Sequence, residues 1–136
     1  MRFMIIRKAD KGTEAGELPS EALLAAMLKY NDELARAGVL LQGEGLHPSS
    51  KAVRVKFDRG KARVIDGPFA ETKELIAGFT LIQVKSREEA IEWVRRWPRE
   101  DGDVELEIRQ VFEAEDFGPS LAPEIREQEK HLRQQR

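Results

Sequence analysis

Alternation of apolar and polar positions divides the chain into short strands and two clear helical stretches. Phe3 and Ile5 on one side, with Met4 and Ile6 on the other, make a two-sided apolar run, the pattern of a buried strand. Lys11 to Glu17 reads as a polar loop. Ser20 then stands as an N-cap before Leu23, Met27, Tyr30 and Leu34, which recur at helical spacing, and Gly38 supplies a left-handed stop. Val39-Leu40-Leu41-Gln42 follows at once, too short and too apolar for anything but a second strand.

Val53, Val55 and Phe57 alternate with Arg54, Lys56 and Asp58, a half-buried strand. Asp58-Arg59-Gly60-Lys61 is a hairpin turn, and Arg63 to Asp66 returns along it. Gly78 to Val84 is apolar on both faces and therefore central. Ser86 with Glu89 three residues on forms a capping box, opening a helix with Ala90, Ile91, Val94 and Trp97 on its apolar side, and Pro98 closes it. Trp93 and Trp97, four apart, read as core and interface packing. Val104, Leu106 and Ile108 alternate with Glu105, Glu107 and Arg109 in a last strand.

Strand-helix-strand, hairpin, strand-helix-strand predicts an α+β fold: a ferredoxin-like antiparallel sheet with two helices on one face and an inserted β-hairpin. Residues 1–118 form the single domain. Residues 119–136 are a charged tail broken from the domain at Gly118-Pro119, a surface helix or a frayed segment with a thin stripe of Leu121, Ile125 and Leu132. The uncovered sheet face is mixed, carrying Glu105, Glu107 and Arg109, and a second copy packed sheet to sheet is the economical way to cover it. That arrangement is a dimeric α+β barrel enclosing a partly polar cavity.

Composition narrows the function. The 23 basic and 25 acidic residues nearly cancel, so there is no basic surplus of the kind nucleic-acid binding requires. With no cysteine there is no disulfide, no thiolate nucleophile and no cysteine-held zinc. No apolar run approaches the roughly 20 residues of a membrane span, and the start is too short in apolar residues for a signal peptide, so a cytoplasmic protein is expected. No dinucleotide fingerprint, P-loop or nucleophile elbow is present, and no cofactor or metal is expected.

The candidate chemistry gathers around residues 62–79. A two-residue turn at Arg59-Gly60 pairs Val53 with Asp66 and aims Asp66 toward the apolar face, where a lone carboxylate is costly. Two readings stand for Asp66: a pocket group, or an Asx turn onto the backbone of Gly67–Phe69. Glu71 and Glu74 are either bland helix-start charges or part of an ion network with Lys73, Arg54 or Arg109 lining a cleft. His47 is a solvated loop histidine or, as the side chain titrating nearest neutrality, an acid or base. Asp66, Glu71, Lys73 and Glu74 are expected to converge on one cleft with Arg54 or Arg109.

"GLHPSSKAVRVKF", "VIDGPFAETKELIAGF", "KSREEAIEWVRRWP" and "EIRQVFEAEDFGP" resemble the DGPF-domain proteins of the YCII-related family over most of the chain. The resemblance implies a dimeric α+β barrel, with the hairpin and the Asp66–Phe69 passage inserted between the second and third core strands. Simpler relatives carry a proposed histidine-aspartate pair, the histidine in the first helix. This chain has Tyr30, Asn31 and Asp32 there and no histidine, so that pair is not carried over. A homodimer binding a small polar or anionic molecule is the expectation. The competing one is a non-catalytic interaction or regulatory module, for example one associated with a sigma factor.

Overall fold

The computed structural model describes residues 1–118 and 122–135. Its elements run β1 (Arg2–Lys8), α1 (Lys11–Glu14), α2 (Glu21–Arg36), β2 (Leu40–Gly45), β3 (Val53–Asp58), β4 (Lys61–Asp66), β5 (Ile76–Gln83), α3 (Arg87–Arg95), β6 (Leu106–Gln110) and α4 (Pro123–Gln134). β2, β5, β1 and β6 form one sheet in that order, and β3 and β4 form a second sheet of their own. All pairs are antiparallel. This is the ferredoxin-like order with an inserted hairpin. β1 and β5 are apolar on both sides because they are its two central strands.

The alternation of β1 sends Phe3 and Ile5 to the helices, where they are buried with Tyr30 and Leu34 of α2, Ala90 of α3, and Ile82 and Val84 at the end of β5. Ser20 caps α2, its Oγ accepting from the Leu23 amide at 3.1 Å, and Gly38 has φ +72°. The Tyr30 hydroxyl donates to the Trp93 carbonyl at 2.7 Å and so ties α2 to α3. Burial pushes its pKa up to about 12. Trp97 meets the Tyr30 ring edge-on at 5.4 Å, and its Nε1 donates to Asp101 at 2.9 Å. Asp101 also receives both Nε and Nη2 of Arg7, a forked pair that fastens the α3–β6 connection to β1.

The other sheet face sets Met4 opposite Leu81 and Arg109, and Ile6 opposite Phe79 and Glu107. These four apolar side chains are half-buried, and no helix of the β-α-β halves covers them. At the far end of the sheet, Gly45 pairs with Gly78, and the Leu46 amide donates to the Ala77 carbonyl at 2.8 Å. Residues 46–77 thus leave and rejoin the sheet at neighbouring rungs.

Lys11–Glu14 is a helical turn rather than a loop. The Asp10 carboxylate accepts from the Thr13 amide at 2.8 Å while the Thr13 hydroxyl accepts from the Asp10 amide at 2.9 Å. This reciprocal cap satisfies both ends of the first turn and outweighs Gly12. In the tail, Pro119 and Leu121 lie outside the described residues. Ile125 and Leu132 of α4 are 52% and 60% exposed. α4 is held by Arg133, whose Nη1 is 3.7 Å from Glu113, which in turn pairs with Arg2 at 2.7 Å. The Arg2 hydrogen bond keeps the Glu113 carboxyl below its usual range. Arg126 adds a bond to the Gly118 carbonyl at 2.7 Å, and half-exposed ties of this kind, on a helix that buries no side chain, contribute little. Removing residues 123–136 should therefore lower the unfolding free energy in urea by only about 1 kcal/mol. A larger loss, or a change in sedimentation, would make α4 an interface element.

Candidate functional site

The inserted segment is built around one close approach. β3 and β4 pair Val53 with Asp66, Val55 with Val64 and Phe57 with Ala62, closed by Arg59 at φ 50° and Gly60 at φ 80°. Positive φ at both central residues is the two-residue hairpin turn that matches strand twist. At the base of the hairpin the chain enters Gly67-Pro68 through a cis peptide. The Gly67 amide donates to the Ala52 carbonyl at 2.9 Å, and a Cβ on Gly67 would stand 1.7 Å from the Ser49 carbonyl oxygen. Only glycine fits there. Ser49 is buried in the turn Ser49–Lys51, with Oγ accepting from the Phe69 amide at 3.0 Å and donating to Glu14. The Ser49 amide donates to the other Glu14 oxygen at 2.9 Å. One carboxylate on α1 and one serine thus fasten both sides of the insertion.

Beside this latch lies a cleft of about 390 Å³, within the range of small-molecule sites. Its walls include His47 and Pro48 after β2, Arg54 on β3, Phe69, and Glu74 with Leu75 at the entry to β5. Arg54 lies over Phe69, its guanidinium carbon 3.7 Å from the ring centroid, a cation–π contact that holds the guanidinium at the cleft wall. Its one ion pair among the described residues is loose, 3.9 Å to Glu71, with both side chains about half exposed. The N–H groups of Arg54 are therefore held in place with little to bind, and Glu74 supplies an acceptor in the same cleft. Among the described residues no cluster of three histidine or carboxylate groups is placed to hold a metal ion.

A family model for the YCII-related domain matches residues 1–115. The chain belongs to the YCII-related family. A relative in Rhizobium meliloti (strain 1021), an uncharacterized protein, is 38% identical over 82 residues, 60% of this chain and 63% of that protein. The chain thus spans less than two thirds of that relative's length. Among solved structures it is similar to 5-chloro-2-hydroxyhydroquinone dehydrochlorinase from Burkholderia phenoliruptrix AC1100, in complex with 2,5-dihydroxybenzoquinone. That similarity has 16% identity and a TM-score of 0.49, covering 85% of this chain and 98% of the other. No helix among the described residues is long and apolar enough to cross a membrane.

Within this YCII-related domain the expected site residues are only partly brought together. His47, Arg54 and Glu74 share the cleft, and Glu71 reaches it through Arg54. Lys73 does not. The turn Thr72–Glu74 sends it to a separate charged cleft of about 350 Å³ with Arg7, Lys8, Asp10, Asp103 and Glu105. There the Thr13 amide, and after it Arg7, holds the Asp10 carboxyl below its ordinary range. Arg109 is also elsewhere: β6 is the opposite edge of the sheet from β2, and Arg109 pairs with Glu107 on the open face.

Asp66 follows neither reading. It stands opposite Val53 on the apolar face of the hairpin, but that face is in solvent, so its exposed carboxylate meets no desolvation cost. The work assigned to it as an Asx turn is done by the Ala52 carbonyl and the Ser49 hydroxyl. Glu14 and Ser49 were not singled out by the sequence. The one local trace of Glu14's role is the Asp10-x-x-Thr13 cap that orders its turn.

Proposed function

We propose that this is a homodimeric α+β barrel protein of the cytoplasm that binds a small polar or anionic molecule in the cleft beside Asp66–Phe69. Residues 1–118 are its folded unit and 119–136 an appended charged tail. The observation that carries the reading is Arg54, stacked on Phe69 with its hydrogen-bonding edge underused inside a cleft of ligand size. A carboxylate or phosphate matches that edge two bonds at a time. His47 and Glu74 on the same walls would contact the polar remainder of the ligand, and Leu75 and Pro48 its apolar part. Support for the homodimer comes from the open sheet face, where Met4, Ile6, Phe79 and Leu81 are only half covered and rimmed by Glu107 and Arg109.

A thermal-shift screen of small carboxylates and phosphate esters, run on wild type and Arg54→Ala in parallel, tests the site. Charge-assisted hydrogen bonds contribute about 1.5–3 kcal/mol. A ligand that raises the wild-type melting temperature should bind Arg54→Ala roughly 10- to 100-fold more weakly. The unliganded variant should melt close to wild type, since an exposed cation–π contact is worth only about 0.5–1 kcal/mol. Equal affinity in the two proteins would place the ligand somewhere other than this cleft.

A further inference from the structure

The β3–β4 hairpin is a ribbon with two unlike faces. Val53, Val55, Phe57, Ala62 and Val64 lie on one, with Asp66 at its base; Arg54, Lys56, Lys61 and Arg63 lie on the other with Asp58 and Ile65. The apolar face is bare. Phe57 is 72% exposed, Val64 64% and Val53 57%. A lone two-stranded hairpin is marginal in water and gains stability when a hydrophobic face is covered. A contiguous bare patch of β-branched and aromatic side chains is also the usual sign of an interaction surface.

We propose that the apolar face of this hairpin docks on a second copy of the same chain, each copy's Phe57, Val55 and Val64 being covered by the other. The inference rests on the homodimer proposed above. Net charge argues for that occupant. Residues 51–66 hold six basic and two acidic side chains, a local +4, in a chain whose formal charge is −2. The rest of the chain therefore stands at −6. The arm and the body of this protein carry opposite net charge, which steers one copy's arm toward another copy's body and leaves the basic side chains on the outer face of the docked arm. A twofold arrangement lets both arms dock at once and closes the assembly. A nucleic acid would need the basic face for its phosphates, and docking there would leave Val53, Val55 and Phe57 as wet as before. Seating the apolar face would also steady β3, whose other face presents Arg54 to the cleft.

Sedimentation of the full chain and of Phe57→Asp at micromolar concentration tests this. Wild type should be dimeric, and the variant's dimer Kd should rise about thirtyfold or more, as for a buried hot-spot side chain. A dimeric wild type with an unchanged Phe57→Asp dimer overturns the hairpin contact and leaves the homodimer standing. A monomeric wild type overturns both. Because the chain has no cysteine, Phe57→Cys gives a second measurement that introduces no buried charge. Its maleimide labelling should slow as protein concentration rises. Labelling at one rate across concentrations overturns the inference, as does slowing only when an oligonucleotide is added.

Discussion

Gly67→Ala is expected to open the insertion while leaving the sandwich folded. The new Cβ would meet the Ser49 carbonyl at 1.7 Å, a backbone atom whose own partner is the Ala52 amide at 2.9 Å. Neither strand of that contact can yield without breaking the Gly67–Ala52 bond or the Ser49 turn. Forcing extra volume into a packed site costs about 1–3 kcal/mol, and more where backbone must move. A local loss of about 3 kcal/mol is enough to raise hydrogen exchange across residues 46–77 by roughly a hundredfold. β1 and the core of β5 should keep their protection, and ligand binding in the cleft should disappear. Wild-type exchange rates through residues 46–77 in Gly67→Ala would refute the close approach as the organiser of the site.

Ser49→Ala should be the second most damaging change, and its effect should depend on Glu14. Removing the hydroxyl takes the acceptor from the Phe69 amide and a donor from the Glu14 carboxylate in one step. Leaving buried partners unsatisfied costs about 1–3 kcal/mol each. Glu14→Gln weakens the same latch, because the NH2 that replaces one carboxylate oxygen can only donate, so one of the two Ser49 bonds loses its acceptor. The double variant should lose less than the sum of the single losses, with a coupling of about 1 kcal/mol. Simple additivity would mean that the two side chains do not act as one latch.

The parts legible in the sequence were those set by local periodicity. Strict alternation on either side of Arg59-Gly60 fixes the register of Val53 with Asp66, and the helical spacing of Tyr30 and Leu34 places both in the core. Long-range placement was not legible. The alternation of β3 says which residues share a face but not whether a neighbour covers that face, so it aims Asp66 at an interior that the fold does not build there. Glu14 and Ser49 are 35 positions apart, with no periodic signal joining them. The alternation of β6 puts Arg109 on the open sheet face, yet its distance from the cleft follows from strand order, which places β6 and β2 on opposite edges.

The rung at Gly45 and Gly78 has a consequence for how this scaffold can change. A chain that exits and re-enters a ladder at one level behaves as a cassette. A tight turn spliced between those two glycines would close β2 onto β5 directly and leave a bare sandwich. His47, Arg54, Phe69 and Glu74 all belong to the removable piece, anchored to the remainder at its two ends, at Glu14, and where the Leu75 carbonyl accepts from the Ala9 amide at 2.9 Å. Side chains in the cassette can therefore be exchanged without loosening Ile5, Leu34 or Ile82, and the recognition properties of the protein can drift while its core stays fixed.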